Sequence, residues 1–595
     1  MRRFIAPRRI ASFVVLAGLA LGLGASPAFA HAALESTDPA AGAIVPRSPA
    51  AIELRFSEAV SVGLGGVRVI AADGGTVRTA EPATAPGRPE VVRQPLPRLA
   101  KGTYVVTWRV VSDDSHPVRG AFTFSVQEVT EGGGGARITR QFLAGGTTDR
   151  TVDVGYAIVR FVVFTAMALL LGALIAVGWV WRHAAAVPRV RRLVWIAWGA
   201  LLVATALAFC FQGAYAGGLG LAGAFRPSVW GDLVGTRLGL VLLARLALVV
   251  ALLPVVAGVA REPRPRWWAP FTALLVLGIA ATPALGGHAS VGTLNAVAVA
   301  VDALHVLAMA TWIGGLVVLI LLLTAHAEDE GLEGLPTWSR VATVAVLVVV
   351  FTGVVRGLRE LGGISGIFDT AYGVLLAVKV GLVLVTLLVA TVARDAVHRR
   401  WALDPEEVEA ADRERAELLA AGQELPKRRG HSLVPDDDGI DTLRYVLPER
   451  TARSRLLRSV AVEVTLLIAV LGVTAVLVNT APAGTTRNGP YAATLEVGEL
   501  LADVSVSPAR VGPNEVHLTV LDPAGGPAQI LNVTVEFALP SEGIAPIDVP
   551  MRNAGPAHYI SAAFTPPVPG DWQMTLKVLV DPVTEVSTAA TVPIR

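Results

Sequence analysis

The residues best placed to do chemistry in this 595-residue chain are histidines in unusual settings. Residues 1–30 read as a secretory signal: Arg2, Arg3, Arg8 and Arg9 precede an apolar run from Ala11 to Gly24, and Ala28-Phe29-Ala30 forms a cleavage site. Cleavage there makes His31 the first residue of the mature chain, so one residue carries both an α-amine and an imidazole. Further on, Ser112-Asp113-Asp114-Ser115-His116-Pro117-Val118 follows a strand pattern from Thr103 to Val111. In an extended Asp114-Ser115-His116 the two polar side chains share a face, because residues two apart do so in a strand. The α-amine, the imidazoles of His31 and His116 and the Asp114 carboxylate form a nitrogen-rich set with one oxygen. Cu(II), at the top of the divalent affinity order, favours such donors. The competing reading is that Asp114 and His116 close a loop by hydrogen bonding.

A second set falls inside an apolar segment. Asp302 and His305 stand at i and i+3, Met309 follows His305 at i+4, and Trp312 lies a turn beyond, so a helix puts all four on one broad face. That face offers O, N and S donors, and His288, in Gly286-Gly287-His288-Ala289-Ser290, is predicted just above it. Ionisable groups within a span are costly and need a reason. The alternative here is that His305 bridges helices and Met309 is ordinary packing. Arg160, Arg245, Lys379 and Glu463 are also predicted within spans, where pairing across helices is the expected role.

The elements that must position these groups follow from composition and periodicity. With 53% hydrophobic and 16% charged residues the chain is too apolar for soluble domains alone. A net charge of +2 with no basic face excludes a nucleic-acid binder. One cysteine, Cys210, excludes both a disulfide framework and a thiolate metal site within the chain. No ATP-binding P-loop is evident, which argues against a pump driven directly by ATP.

Residues 31–130 alternate as strands do, in Ile52, Leu54, Phe56, in Val106, Trp108, Val110 and in Phe122, Phe124, Val126. Residues 131–150, with Gly132 to Gly135, read as a linker. Residues 151–482 hold eight apolar segments of spanning length, near 154–181, 193–213, 233–260, 267–286, 297–323, 339–357, 371–396 and 457–479. The signal puts the start of the first span outside. Arg182, Arg189, Arg191 and Arg192, then Arg261, Arg264 and Arg266, fall in the loops this topology makes cytoplasmic. A polar insertion, 397–456, is predicted to carry an exposed helix from Pro405 to Ala421. Residues 490–595 return to strand alternation, where His517 and Met574 read as structural. The expected product is a multidomain, multi-pass protein of the cytoplasmic membrane: an N-terminal β-sandwich, an eight-helix transmembrane bundle and a C-terminal β-sandwich, both sandwiches outside the cytoplasm.

His31-Ala32-Ala33-Leu34 with Ser36-Thr37-Asp38-Pro39-Ala40, Leu54-Arg55-Phe56-Ser57-Glu58-Ala59-Val60 and Asp114-Ser115-His116-Pro117-Val118 resemble the CopC family of secreted copper-binding proteins. The resemblance implies a cupredoxin-like or Ig-like domain with His31, Asp114 and His116 as Cu(II) ligands and Glu58 as a weaker or outer participant. The methionine-rich Cu(I) site of some members is excluded, since residues 31–130 contain no methionine. His305 to Gly315, Tyr372-Gly373-Val374-Leu375-Leu376 with Lys379, and Arg455 to Glu463 resemble the CopD family of copper-resistance membrane proteins. The C-terminal domain is similar to YtkA-like domains. Together these imply a non-enzymatic protein that transfers copper, as Cu(I) or Cu(II), into or across the bilayer, with an extracytoplasmic copper chaperone as a further partner. Two rivals stand beside it: a copper oxidase of the histidine-brace type, and a copper sensor or chaperone for oxidase assembly.

Overall fold

The computed structural model describes residues 32, 34–40, 43–112, 117–130, 135, 138, 139, 142, 149–262, 264–287, 295–325, 334–361, 366–403, 405–422, 446–480, 491–507, 509–522, 528–555 and 557–594. The N-terminal strands among them are β1 (Leu34–Asp38), β2 (Ile44–Val45), β3 (Ala51–Phe56), β4 (Val60–Ala71), β5 (Thr76–Val77), β6 (Ala83–Ala85), β7 (Arg88–Pro95), β8 (Gly102–Ser112) and β9 (Pro117–Val126). They form two sheets, β1-β3-β7-β6 and β2-β9-β8-β4-β5. Ile52, Leu54 and Phe56 from one sheet and Val106, Trp108, Val110, Phe122 and Phe124 from the other are buried in a shared core. The period-2 alternation read from the sequence is therefore the alternation that closes this sandwich. Phe56 and Trp108 lock the sheets edge to face, with centroids 5.1 Å apart.

Among the described residues, eight helices are long and apolar enough to cross a membrane: α1 (Arg150–Val180), α2 (Pro188–Gly217), α3 (Arg237–Ala257), α4 (Trp268–Leu285), α5 (Asn295–Thr324), α6 (Leu335–Leu361), α7 (Ala371–His398) and α8 (Glu449–Leu477). Several run a turn past their apolar cores, because polar residues at the ends still complete backbone hydrogen bonds. This matters at α6, which reaches Leu361 instead of ending near 357. Asp149 caps α1, its Oδ1 accepting from the backbone N–H of Thr151 at 2.7 Å.

Helices α1 and α5 meet at two glycines. A Cβ on Gly172 would fall 1.9 Å from the Ala310 carbonyl oxygen, and one on Gly314 would fall 2.6 Å from Gly172 Cα. In lipid, where apolar surface gives no drive to associate, such backbone contact is what holds helices together. Gly172→Val should separate α1 from α5 and cost about 3 kcal/mol or more. Its readout is the fraction of full-length chain that stays monodisperse in detergent, and a normal yield and melting temperature would contradict it.

The helix expected in the insertion forms at Pro405–Ala420. It is docked on one face: buried Arg415 donates to the Val446 carbonyl at 2.8 Å, and Arg400 pairs with Asp412 at 2.5 Å.

The C-terminal strands are β10 (Tyr491–Val497), β11 (Leu500–Ser507), β12 (Asn514–Leu521), β13 (Asn532–Leu539), β14 (Ile544–Val549), β15 (Arg552–Gly555), β16 (His558–Phe564), β17 (Gly570–Asp581) and β18 (Thr584–Ile594). Sheets β10-β11-β12-β16-β15 and β14-β13-β17-β18 enclose a core that includes Phe537, Phe564, Trp572 and Met574. Met574 is structural, as expected. His517 lies on the opposite, solvent side of β12 and stacks on His558, which is buried.

Burial, helped by neighbouring His517, pushes the His558 imidazole down to about 4 from an ordinary 6.5. The unfolded chain thus takes up this proton at higher pH than the folded one. Stability from this group is whole above about 6.5 and is lost as pH falls toward 4. Pulse proteolysis of the full chain in a metal chelator should show the C-terminal domain weakening between pH 7 and pH 5, by on the order of 2 kcal/mol. His558→Gln should flatten that dependence; an unchanged pH profile would remove His558 as its source.

Candidate metal centre

The described residues bring three distant segments of the N-terminal domain to one end of the sandwich. Ala32, next to His31, is buried in the core, and β1 enters its sheet with Leu34 opposite Phe56. Two residues after Phe56 comes Glu58, part-buried, with its Oε1 shielded from solvent. Two residues after Glu58, Val60 pairs with Ser112, the last residue of β8. Antiparallel register therefore gathers Ala32, Leu34, 56–60 and Ser112 at a common edge. His31, Asp114 and His116 lie outside the described residues, as does His288. The chain segments that lead to the first three converge beside Glu58.

The same end of the domain sits on the helices. Leu64 of β4 and Val111 of β8 share an apolar cluster with Ala216 of α2 and with Val229 and Leu233 of the short helix Pro227–Val234. The contact is close because α2 ends in glycines. A Cβ on Gly217 would lie 2.8 Å from the Leu64 carbonyl oxygen, and Gly218, at φ +62°, lies under the Arg109 guanidinium. Burial, with repulsion from Arg119 and Arg68, pulls Arg109 below its ordinary value.

Within the helices, Asp302 and His305 do lie on α5 as predicted, and both face α6. Arg356 Nε is 3.4 Å from Asp302 Oδ1, and the same guanidinium reaches Glu360 Oε1 at 3.3 Å. The Tyr372 hydroxyl of α7 donates to Glu360. Lys379 lies part-buried on α7, two turns beyond Tyr372. His305 Nδ1 is 2.8 Å from Thr352 Oγ1, which also lies 2.6 Å from the Val348 carbonyl oxygen. In the tautomer that carries its proton on Nδ1, the imidazole donates to Thr352 and Nε2 keeps a lone pair as a donor for a metal. The helix-bridging role of His305 and a ligand role are thus compatible, since they use different ring nitrogens. Met309 packs against the helical core.

Glu360 escapes the sequence reading because the sixth span is taken to end near 357, while Thr352 and Arg356 lie inside that span and are not singled out there. Arg356 and Glu360, at i and i+4, carried the signal. The other intramembrane charges differ from expectation in their partners. Arg160 donates to the neutral Asn479, and Arg245 Nε donates to Thr282 Oγ1 at 2.7 Å. Glu463 has a buried Oε1 with no hydrogen bond and lines a cleft of about 190 Å³ with Trp312, Trp338 and Arg394. Among the described residues no three His, Cys, Asp or Glu side chains form a closed metal cage.

Three family models match the chain: a CopC domain over residues 34–127, a copper resistance protein D-like N-terminal domain over 151–296, and copper resistance protein D over 333–421. Copper transport protein CutJ of Bacillus subtilis is 28% identical over 374 residues, 61% of this chain and 68% of that protein. Copper resistance protein C of Escherichia coli is 35% identical over 124 residues, 19% of this chain and 94% of that protein. The crystal structure of CopC from Methylosinus trichosporium OB3b, 31% identical, covers 17% of this chain and 97% of its own, with a TM-score of 0.16. With its strand-rich N-terminal domain seated on eight spanning helices, the chain belongs to the copper resistance family, as a CopC domain fused to a copper resistance protein D membrane domain.

Proposed function

We propose that this protein captures Cu(II) outside the cytoplasm through His31, Asp114 and His116, with Glu58 alongside, and passes copper inward across the membrane. In this reading His288 receives the ion, and Asp302, His305 Nε2 and Met309 carry it into the outer half of the helices. A thioether beside an imidazole suits Cu(I) and an imidazole beside a carboxylate suits Cu(II), so the donors accept either oxidation state. The signal sequence and the arginines after α1 and α3 support an orientation with both sandwiches outside. The C-terminal sandwich is read as YtkA-like, and an extracytoplasmic copper chaperone as the donor of the ion.

One observation carries the proposal. Val111, two residues before the segment Asp113 to His116, packs into the cluster on the outer end of α2. A strand that ends in ligands and is anchored against the membrane domain can hand over its ion without the whole domain diffusing. The test is copper uptake by vesicles reconstituted with the full chain. Uptake should saturate with external copper and fall when His116 is replaced by alanine. Vesicles that bind copper outside yet accumulate none would replace transport with binding alone.

A further inference from the structure

A pair of histidines on the C-terminal sandwich remains outside this pathway. Strands β12 and β16 pair with Thr519 opposite His558 and His517 opposite Ile560. Directly opposed residues share a face, so His517 and His558 are diagonal neighbours on the outer face of the five-stranded sheet. Their rings are 5.7 Å apart between centroids and inclined by 22°. Glu515, two residues before His517 on the same face, puts Oε2 at 3.6 Å from His517 Nε2. Asp503 and Ser505 of β11 and Arg552 of β15 complete the row across the sheet.

His558 makes the pair unusual. It is only 5% exposed, and its Nδ1 is buried with no hydrogen bond. A buried unpaired nitrogen costs about 1–3 kcal/mol, so it needs an occupant or a partner. With metal–nitrogen bonds of about 2.0–2.1 Å, two imidazoles on one ion have centroids no more than about 6 Å apart, which the observed spacing satisfies. The imidazoles and carboxylate are borderline donors that suit Cu(II) and Zn(II), with Cu(II) the tighter.

We propose that His517 and His558, with Glu515 turning in from the exposed edge, form a separate binding site for a borderline divalent cation, Cu(II) before Zn(II). Water completes the coordination: among the described residues no three His, Cys, Asp or Glu side chains stand ready to hold an ion, so Glu515 reaches it only by turning in. The site does not depend on the transfer pathway. It uses no residue of the N-terminal domain or the helices, and it would exist in a chain that only binds copper.

The test uses the full chain in detergent carrying His31→Ala and His116→Ala, with Cu(II) alone as the probe. Equilibrium dialysis should count one Cu(II) fewer per chain after His517→Ala, a surface change that leaves the core untouched. His558→Gln, which keeps a polar group of similar size, should lose the same ion, and Glu515→Gln should weaken it about tenfold, or about 1.4 kcal/mol. The electron paramagnetic resonance spectrum should lose nitrogen hyperfine lines in step. An identical copper count and spectrum before and after His517→Ala would overturn the site. So would a parent chain that takes up no Cu(II).

Discussion

An additional alanine ahead of His31, or His31→Ala, should weaken Cu(II) binding by the N-terminal domain about a thousandfold, or about 4 kcal/mol. The α-amine and imidazole of an N-terminal histidine close a chelate within one residue, so the first bond fixes the second donor without ordering more chain. Alanine removes the imidazole, and the insertion moves the amine to another residue. Either leaves His116 and Asp114 to hold the ion largely by themselves. Competition against a Cu(II) chelator measures the change, and the copper spectrum should show fewer nitrogen donors. Unchanged affinity, or a mature chain that starts elsewhere by mass spectrometry, would remove this site from the protein.

The second large effect concerns α5 and α6. His305→Ala should sharply reduce copper accumulation by cells at matched expression, while Cu(II) binding by the N-terminal domain stays the same. Thr352 would keep its bond to the Val348 carbonyl, so the helices should remain packed. Arg356→Leu should behave differently. It leaves Asp302 and Glu360, both largely buried, without the cation between them. Breaking a buried ion pair in this way costs about 3–5 kcal/mol. The chain should fail to fold, or should fold only when Asp302→Asn and Glu360→Gln are added. Normal accumulation by His305→Ala would take α5 out of the copper route. Normal yield of Arg356→Leu would show that the guanidinium does not hold α5 to α6.

These two expectations differ in how far the sequence alone could reach. The i and i+3 placement of Asp302 and His305 is legible because helical spacing is local. Their partners on α6 are about fifty residues away, and only packing decides which face of α6 meets α5. The same holds for Glu463: its presence in an apolar segment is evident, but whether a cation answers it depends on the rotation of α8 against its neighbours. In the structure its Oε1 has no hydrogen-bond partner.

The amino-acid sequence by itself determined the eight spans, the two β-patterned ends and the histidine that cleavage at Ala30 would expose. Each depends on the period and polarity of a short stretch, set by backbone geometry and by the cost of polar groups in lipid. Tertiary structure decided what no local period contains. Register brought Ala32, Glu58 and Ser112 to one end of a sandwich, and glycines let that sandwich settle on α2. Strand pairing set His517 beside His558, residues forty-one positions apart whose proximity follows only from hydrogen bonding between β12 and β16.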